Sequence, residues 1–254
     1  MALTSLIPAL ALAVQPGPAA LPTEAAWQPT SAYVTAGQDE PGYRNWYAAS
    51  PRHAVGVTGF NQYLATYGVS GIVPTWQLLR TASSWERCGA QPFEVPPTAE
   101  WPNIVQTLRY LRDVVIPIVG PVEPVSAYRN PYLNTCAGGA PESAHRHFLA
   151  VDLVPLRPIA REAMMSRLCA AHARRGDGYQ VGLGFYAFMR FHIDTMKFRK
   201  WGAVGTPESS PCAVPLPPPV ILARQPIERI ASPAPISPSA EPAGGPVEST
   251  PASR

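Results

Sequence analysis

Residues 143–153, SAHRHFLAVDL, set a carboxylate inside an apolar run and two histidines just ahead of it. Left ionised and unpaired among Leu149, Ala150, Val151, Leu153 and Val154, Asp152 would cost several kcal/mol. It must be exposed, protonated, paired with an arginine such as Arg129, or bound to a metal ion. A second stretch, RFHIDTM at 190–196, carries the same signature. Strand alternation puts His192 and Asp194 on one face and Phe191 and Ile193 on the other. Paired strands would bring the two polar faces together, and His145 can swing in from the loop before the first. Imidazole and carboxylate are ordinary zinc ligands, and three protein ligands with an open fourth position mark a catalytic site.

These side chains need a scaffold, and hydrophobic periodicity predicts one. Helices are expected at 57–68, closed by Gly68, at 73–85, and most clearly at 102–120. In the last, Ile104, Val105, Leu108, Leu111 and Val115 share a face, and Pro117 with Gly120 stops the helix. A strand at 122–128 ends at the turn signal Arg129-Asn130-Pro131, and a Gly-containing loop leads to the strand at 149–154. Pro158 opens another helix with Met165, Leu168, Cys169 and His172 on its stripe and Gly176 as C-cap. Two more strands follow, YQVGLGFY and MRFHIDTM. Helices and strands alternate too little for a parallel sheet, so the expected class is α+β, a small antiparallel sheet with flanking helices.

Composition sets the boundaries. The chain has 254 residues and 32 prolines, thirteen of them after Thr206. A segment so rich in Pro, Ser and Ala buries too little apolar surface to offset its ordering entropy, so 206–254 is expected to be a disordered tail. The expected domain is 52–205, preceded by an irregular segment at 23–51 and a possible leader at 1–22 built on LIPALALAV. That apolar stretch is too short to span a bilayer. A formal net charge of +3 without a Lys/Arg cluster argues against nucleic acid as a partner. Four cysteines without a C-x-x-C pair argue against a cysteine metal site and for two disulfides, with Cys169–Cys212 preferred. Disulfides and a leader together predict a periplasmic or secreted protein.

The stretch SAYRNPYLN…GGAPESAHRHFLAVDL…GLGFY…FHIDT resembles the zinc D-alanyl-D-alanine carboxypeptidases and murein endopeptidases. Their pattern is S-x-Y-R, then S-x-H-x-x-G-x-A-x-D, then H-x-D or H-x-H. Ser143, His145, Ala150 and Asp152 match in order, and the likeness spans roughly 122–201. The resemblance implies a Hedgehog-like fold, Zn2+ held by His145, Asp152 and His192, and peptidoglycan stem peptides as substrate. It also implies that Arg129 grips the substrate and that Ser143 lies beside it. Phe148 stands where relatives carry glycine, which would either narrow the site or reshape the turn. Asp194 is the candidate general base, with a fourth ligand or a partner to His192 as its alternatives. His147 is a weaker candidate ligand, and His172 is expected to be packing. A wall-binding module that keeps the metal site without turnover is the alternative to an enzyme.

Overall fold

A computed structural model describes residues 27–213, and the structural statements below concern these. The expected leader at 1–22 and the chain after Ala213 lie outside them. Five strands form one sheet: β1 (Val122–Ser126), β2 (Ala150–Pro155), β3 (Gly182–Phe185), β4 (Phe191–Asp194) and β5 (Arg199–Trp201). Their spatial order is β1-β2-β4-β3-β5. Neighbours are antiparallel except β5, which lies parallel to β3. The fold is α+β as expected, but the sheet is mixed rather than antiparallel. β5 gives no sequence signal because Arg199-Lys200-Trp201 is short and lacks apolar alternation. Backbone pairing with β3 places it.

One sheet face is apolar. Val151, Leu153, Leu183, Phe185, Phe191 and Ile193 join helical residues such as Leu108, Val115 and Leu168 in the core. Each large apolar side chain taken from water contributes roughly 1.5–3 kcal/mol, so this face fixes the strand register. A slip of one residue would drive Asp152 and His192 into it. The register instead sets Asp152 opposite His192 and Ala150 opposite Asp194.

The helices cover that apolar face. α1 (Glu40–Ala48) and α2 (Pro51–Thr66) start at Asp39 and Ser50, whose side chains accept from Gly42 N and Arg52 N. α3 is a single turn, Thr75–Leu78, where the pattern predicted a helix over 73–85. α4 (Trp101–Tyr110) runs through a wide π-type turn, Leu111–Val115, into α5 (Ile116–Val119). Pro117 has no N–H to give Asp113 O, and Arg175 Nη1 donates to that carbonyl instead, at 2.9 Å. α6 (Pro131–Cys136) is capped by Asn130 Oδ1, which accepts from Leu133 N. α7 (Arg161–Ala171) also ends in a π-type turn, His172–Gly176. Gly176 is not the left-handed cap the pattern predicted, since its φ is −64°. It is small because a Cβ there would meet His172 Cδ2 at 2.8 Å.

The packed unit extends past the expected limits on both sides. Within the segment expected to be irregular lie α1 and Gln38, which is fully buried and donates to Thr81 O and Pro92 O. Arg80 ties that segment to β1: Nε donates to Gln38 O at 2.8 Å and Nη1 to Glu123 Oε1 at 2.6 Å. At the other end, Ser210 is buried and the chain is bonded through Cys212. The surroundings of α1 and the chain after β5 are rich in Pro and Gly, so neither stretch shows a clear hydrophobic period.

Two disulfides, Cys88–Cys136 and Cys169–Cys212, join all four cysteines. The second is the expected pairing, and it pins the chain after β5 to α7. Closing a loop of 43 residues stabilises a fold by about 2–4 kcal/mol, chiefly by restricting the unfolded chain. A Cys169→Ser/Cys212→Ser double variant is expected to lose about that much in denaturant unfolding. It should also leave two cysteines blocked in a thiol titration of unreduced protein.

Candidate metal centre

His145, Asp152 and His192 come together on the polar face of the sheet, each buried. Pairing of β2 with β4 supplies two of the three directly. The third arrives through a single 3-10 turn, Ala144–His147, which the Ser143 hydroxyl caps by accepting from His145 N. That turn ends at Phe148 with a φ of +52°, a left-handed conformation that suits glycine and costs other residues strain. Here the side chain compensates by burial: Phe148 is fully buried against Phe60 and Tyr128. Its ring goes to the core, so it reshapes nothing in the site.

Three lone pairs converge. His145 Nδ1 lies 2.5 Å from Ala127 O, a group that only accepts, so the proton sits on Nδ1 and Nε2 is bare. His192 Nε2 faces Asp194 Oδ2 at 2.9 Å, which directs Nδ1 inward. His145 Nε2 is 3.2 Å from His192 Nδ1 and 3.3 Å from Asp152 Oδ1, and the last two are 2.9 Å apart. Tetrahedral zinc with bonds of about 2.0–2.1 Å sets its ligand atoms about 3.3–3.4 Å apart. The cluster is thus close to one triangular face of such a tetrahedron, and it can hold a metal ion.

The charges suit that role. Burial and the neighbouring Arg129 lower the His145 pKa to about 4, so it is neutral at neutral pH. Burial works against charge on Asp152, yet His145, His192 and Arg129 hold its carboxyl well below the usual range. Burial likewise opposes charge on His192, but the carboxylates of Asp152 and Asp194 on either side outweigh it and raise the pKa. A proton and a metal ion therefore compete for the inward nitrogen of His192.

Asp194 is fully buried, bonded to His192 Nε2, Met196 N and Arg199 Nη2, and lies behind the imidazole. Its contact with His192 Nε2 is the one a partner to that ring would make, on the side of the ring away from Asp152. Arg129 gives Nη2 to Asp152 Oδ2 at 2.8 Å and Nε to Ser126 Oγ at 3.0 Å, so one edge of its guanidinium holds a ligand of the centre. Asp152 has one oxygen paired with Arg129 and the other facing the two histidines. His147 stays outside, half-exposed and 3.9 Å from Glu100. His172 packs on Phe198, as expected.

The centre opens into a cleft of about 950 Å³ that crosses the sheet. Val125 and Ser126 of β1, Asp152, His192, and Lys200 and Trp201 of β5 all line it. Glu142 and Asp152 are the carboxylates on its wall among the described residues, while Ser143 and Arg129 also line it. Tyr33, Tyr186, Arg190 and Trp201 were not anticipated. Tyr186 and Trp201 had a weak signal in GLGFY: a side chain at Gly182 or Gly184 would collide with Asp194 or Trp201, so those glycines mark where groups lie over β3. Comparison with protein-family models, curated proteins and solved structures finds no match.

Wherever His192 is protonated, metal uptake is expected to release that proton. Below its raised pKa, affinity should weaken about tenfold per pH unit, and calorimetric titration in buffers of different ionisation heat measures the proton count. Asp194→Asn is expected to lower metal affinity by about 10- to 100-fold while leaving the ligand set intact. Unaltered affinity would remove Asp194 from the centre.

Proposed function

We propose that the protein is a zinc peptidase of the murein type, cleaving amide bonds next to D-amino acids in peptidoglycan stem peptides. The observation that carries this reading is the convergence of His145 Nε2, Asp152 Oδ1 and His192 Nδ1 at the floor of a cleft. Two imidazoles and one carboxylate are a zinc donor set, and three protein ligands leave a position for the reacting groups. The resemblance over 122–201 names the same three residues. The left-handed φ at Phe148, where relatives carry glycine, supports the alignment of that motif. A Hedgehog-like arrangement of the sheet belongs to this reading too.

Zinc bound at such a site polarises a carbonyl and acidifies water. The chain's own residues do the rest. Arg129 holds Asp152 ionised, Asp194 fixes the His192 ring, and Ser143 sets the turn that aims His145. Tyr186 lines the cleft with its phenol held neutral by burial and the Asp152 charge, so it presents a donor rather than an anion. Glu142 is the cleft carboxylate left to accept a proton. The cleft runs to both sides of the centre, from β1 to β5, which suits a bond inside a cross-linked peptide better than a chain end. Endopeptidase action is therefore the reading we adopt. The two disulfides fit work outside the reducing cytosol, and no described helix is long and apolar enough to cross a membrane.

One feature favours the wall-binding alternative: Asp194 is committed to His192, and Glu142 is exposed on a loop rather than held at the centre. Incubating zinc-loaded protein with purified cross-linked muropeptides separates the two. The expected outcome is conversion of dimers to monomers, abolished by His145→Ala and lowered roughly 10²- to 10⁴-fold by Glu142→Gln. Tight muropeptide binding without any cleavage would establish the binding module instead.

A further inference from the structure

Arg190 precedes His192 by two residues, so alternation puts both on the cleft face, and both line the cleft. Its guanidinium lies 4.0 Å from the centre of the Tyr186 ring and 5.2 Å from that of Tyr33. The turn beneath it is locked. Tyr186 N donates to Arg190 O, and the Tyr33 hydroxyl accepts from Met189 N and Arg190 N while donating to Ala187 O. These cation–π contacts hold the guanidinium in place without using its N–H groups.

Those groups have nothing to bond. No acceptor among the described residues takes a hydrogen bond from the Arg190 side chain, and its Nε is buried without a partner. Native structures rarely leave a buried donor unmet. The other cleft arginines near the centre are committed, Arg129 to Asp152 and Arg199 to Asp194. A pre-oriented guanidinium with free donors matches one chemical class above others, the planar carboxylate, which it grips with two parallel bonds.

We propose that Arg190, held against the rings of Tyr33 and Tyr186, is the receptor for a free carboxylate that the substrate carries next to the scissile bond, beside the metal centre. That the carboxylate belongs to a peptide rests on the peptidase reading; the anion site itself does not. Arg190 takes over the substrate-gripping role that Arg129 gives up by holding Asp152. Tyr33 also gives the segment before α1 a purpose, since it supplies one wall of the clamp.

The test is a calorimetric titration of the zinc-loaded full chain with N-acetyl-D-alanine and with its uncharged amide. The acid is expected to bind about 10- to 100-fold more tightly, as a charge-assisted bidentate contact allows. Arg190→Gln should erase that preference and Arg190→Lys should retain part of it, both at unchanged zinc content. Equal binding of acid and amide by the unaltered protein overturns the proposal. So does an undiminished preference in Arg190→Gln, which would assign the carboxylate to the metal. A protein that shows the Arg190-dependent preference but cleaves no muropeptide keeps the anion site and loses the peptidase reading.

Discussion

An ionised carboxylate with no access to water organises one whole face of this sheet. Asp152 is fully buried, and its removal from water costs several kcal/mol unless cations and donors surround it. Arg129 takes one oxygen and the two histidines approach the other. His192 in turn needs Asp194 behind it, and Asp194 needs Arg199 and Met196 N. The chain of dependence runs from the centre of β2 to the edge strand β5. A metal ion fits at its origin because the two imidazole nitrogens and one Asp152 oxygen lie 2.9–3.3 Å from one another.

The second dependence is steric. Asp194 and Trp201 lie over β3, and that is possible because Gly182 and Gly184 present no side chain there. His145 reaches the centre because the chain turns left-handed at Phe148, and the ring that pays for this turn fills the core beneath it. Small residues open space on the polar face while large ones occupy the apolar face. The same strands therefore serve packing and chemistry without conflict.

Much of the centre was legible beforehand, for a physical reason. A period of two puts Asp152 and His192 on polar faces of otherwise apolar strands, and a buried charge in such a place demands a partner. The long helix at 101–119 and the Cys169–Cys212 bridge were legible too, from periodicity and from the position of Cys212 after the last predicted strand. What stayed hidden depends on tertiary approach. β5 has no pattern of its own and exists through pairing with β3. Tyr33 reaches the β3–β4 turn across more than 150 residues, and local composition around it suggested irregular chain. Spacing placed Asp194 beside His192 but could not say on which side of the ring it lies. The structure sets it against Nε2, on the side of the ring away from Asp152.

The most direct measurement of the central claim is X-ray absorption at the zinc edge on the full-length protein loaded with one equivalent of metal. The account predicts a first shell of nitrogen and oxygen at about 2.0–2.1 Å, with outer-shell scattering from two imidazole rings and no sulfur. Replacing His192 with alanine should remove the signal of one ring. A shell without imidazole scattering, or one containing sulfur at about 2.3 Å, would contradict it and place the metal elsewhere.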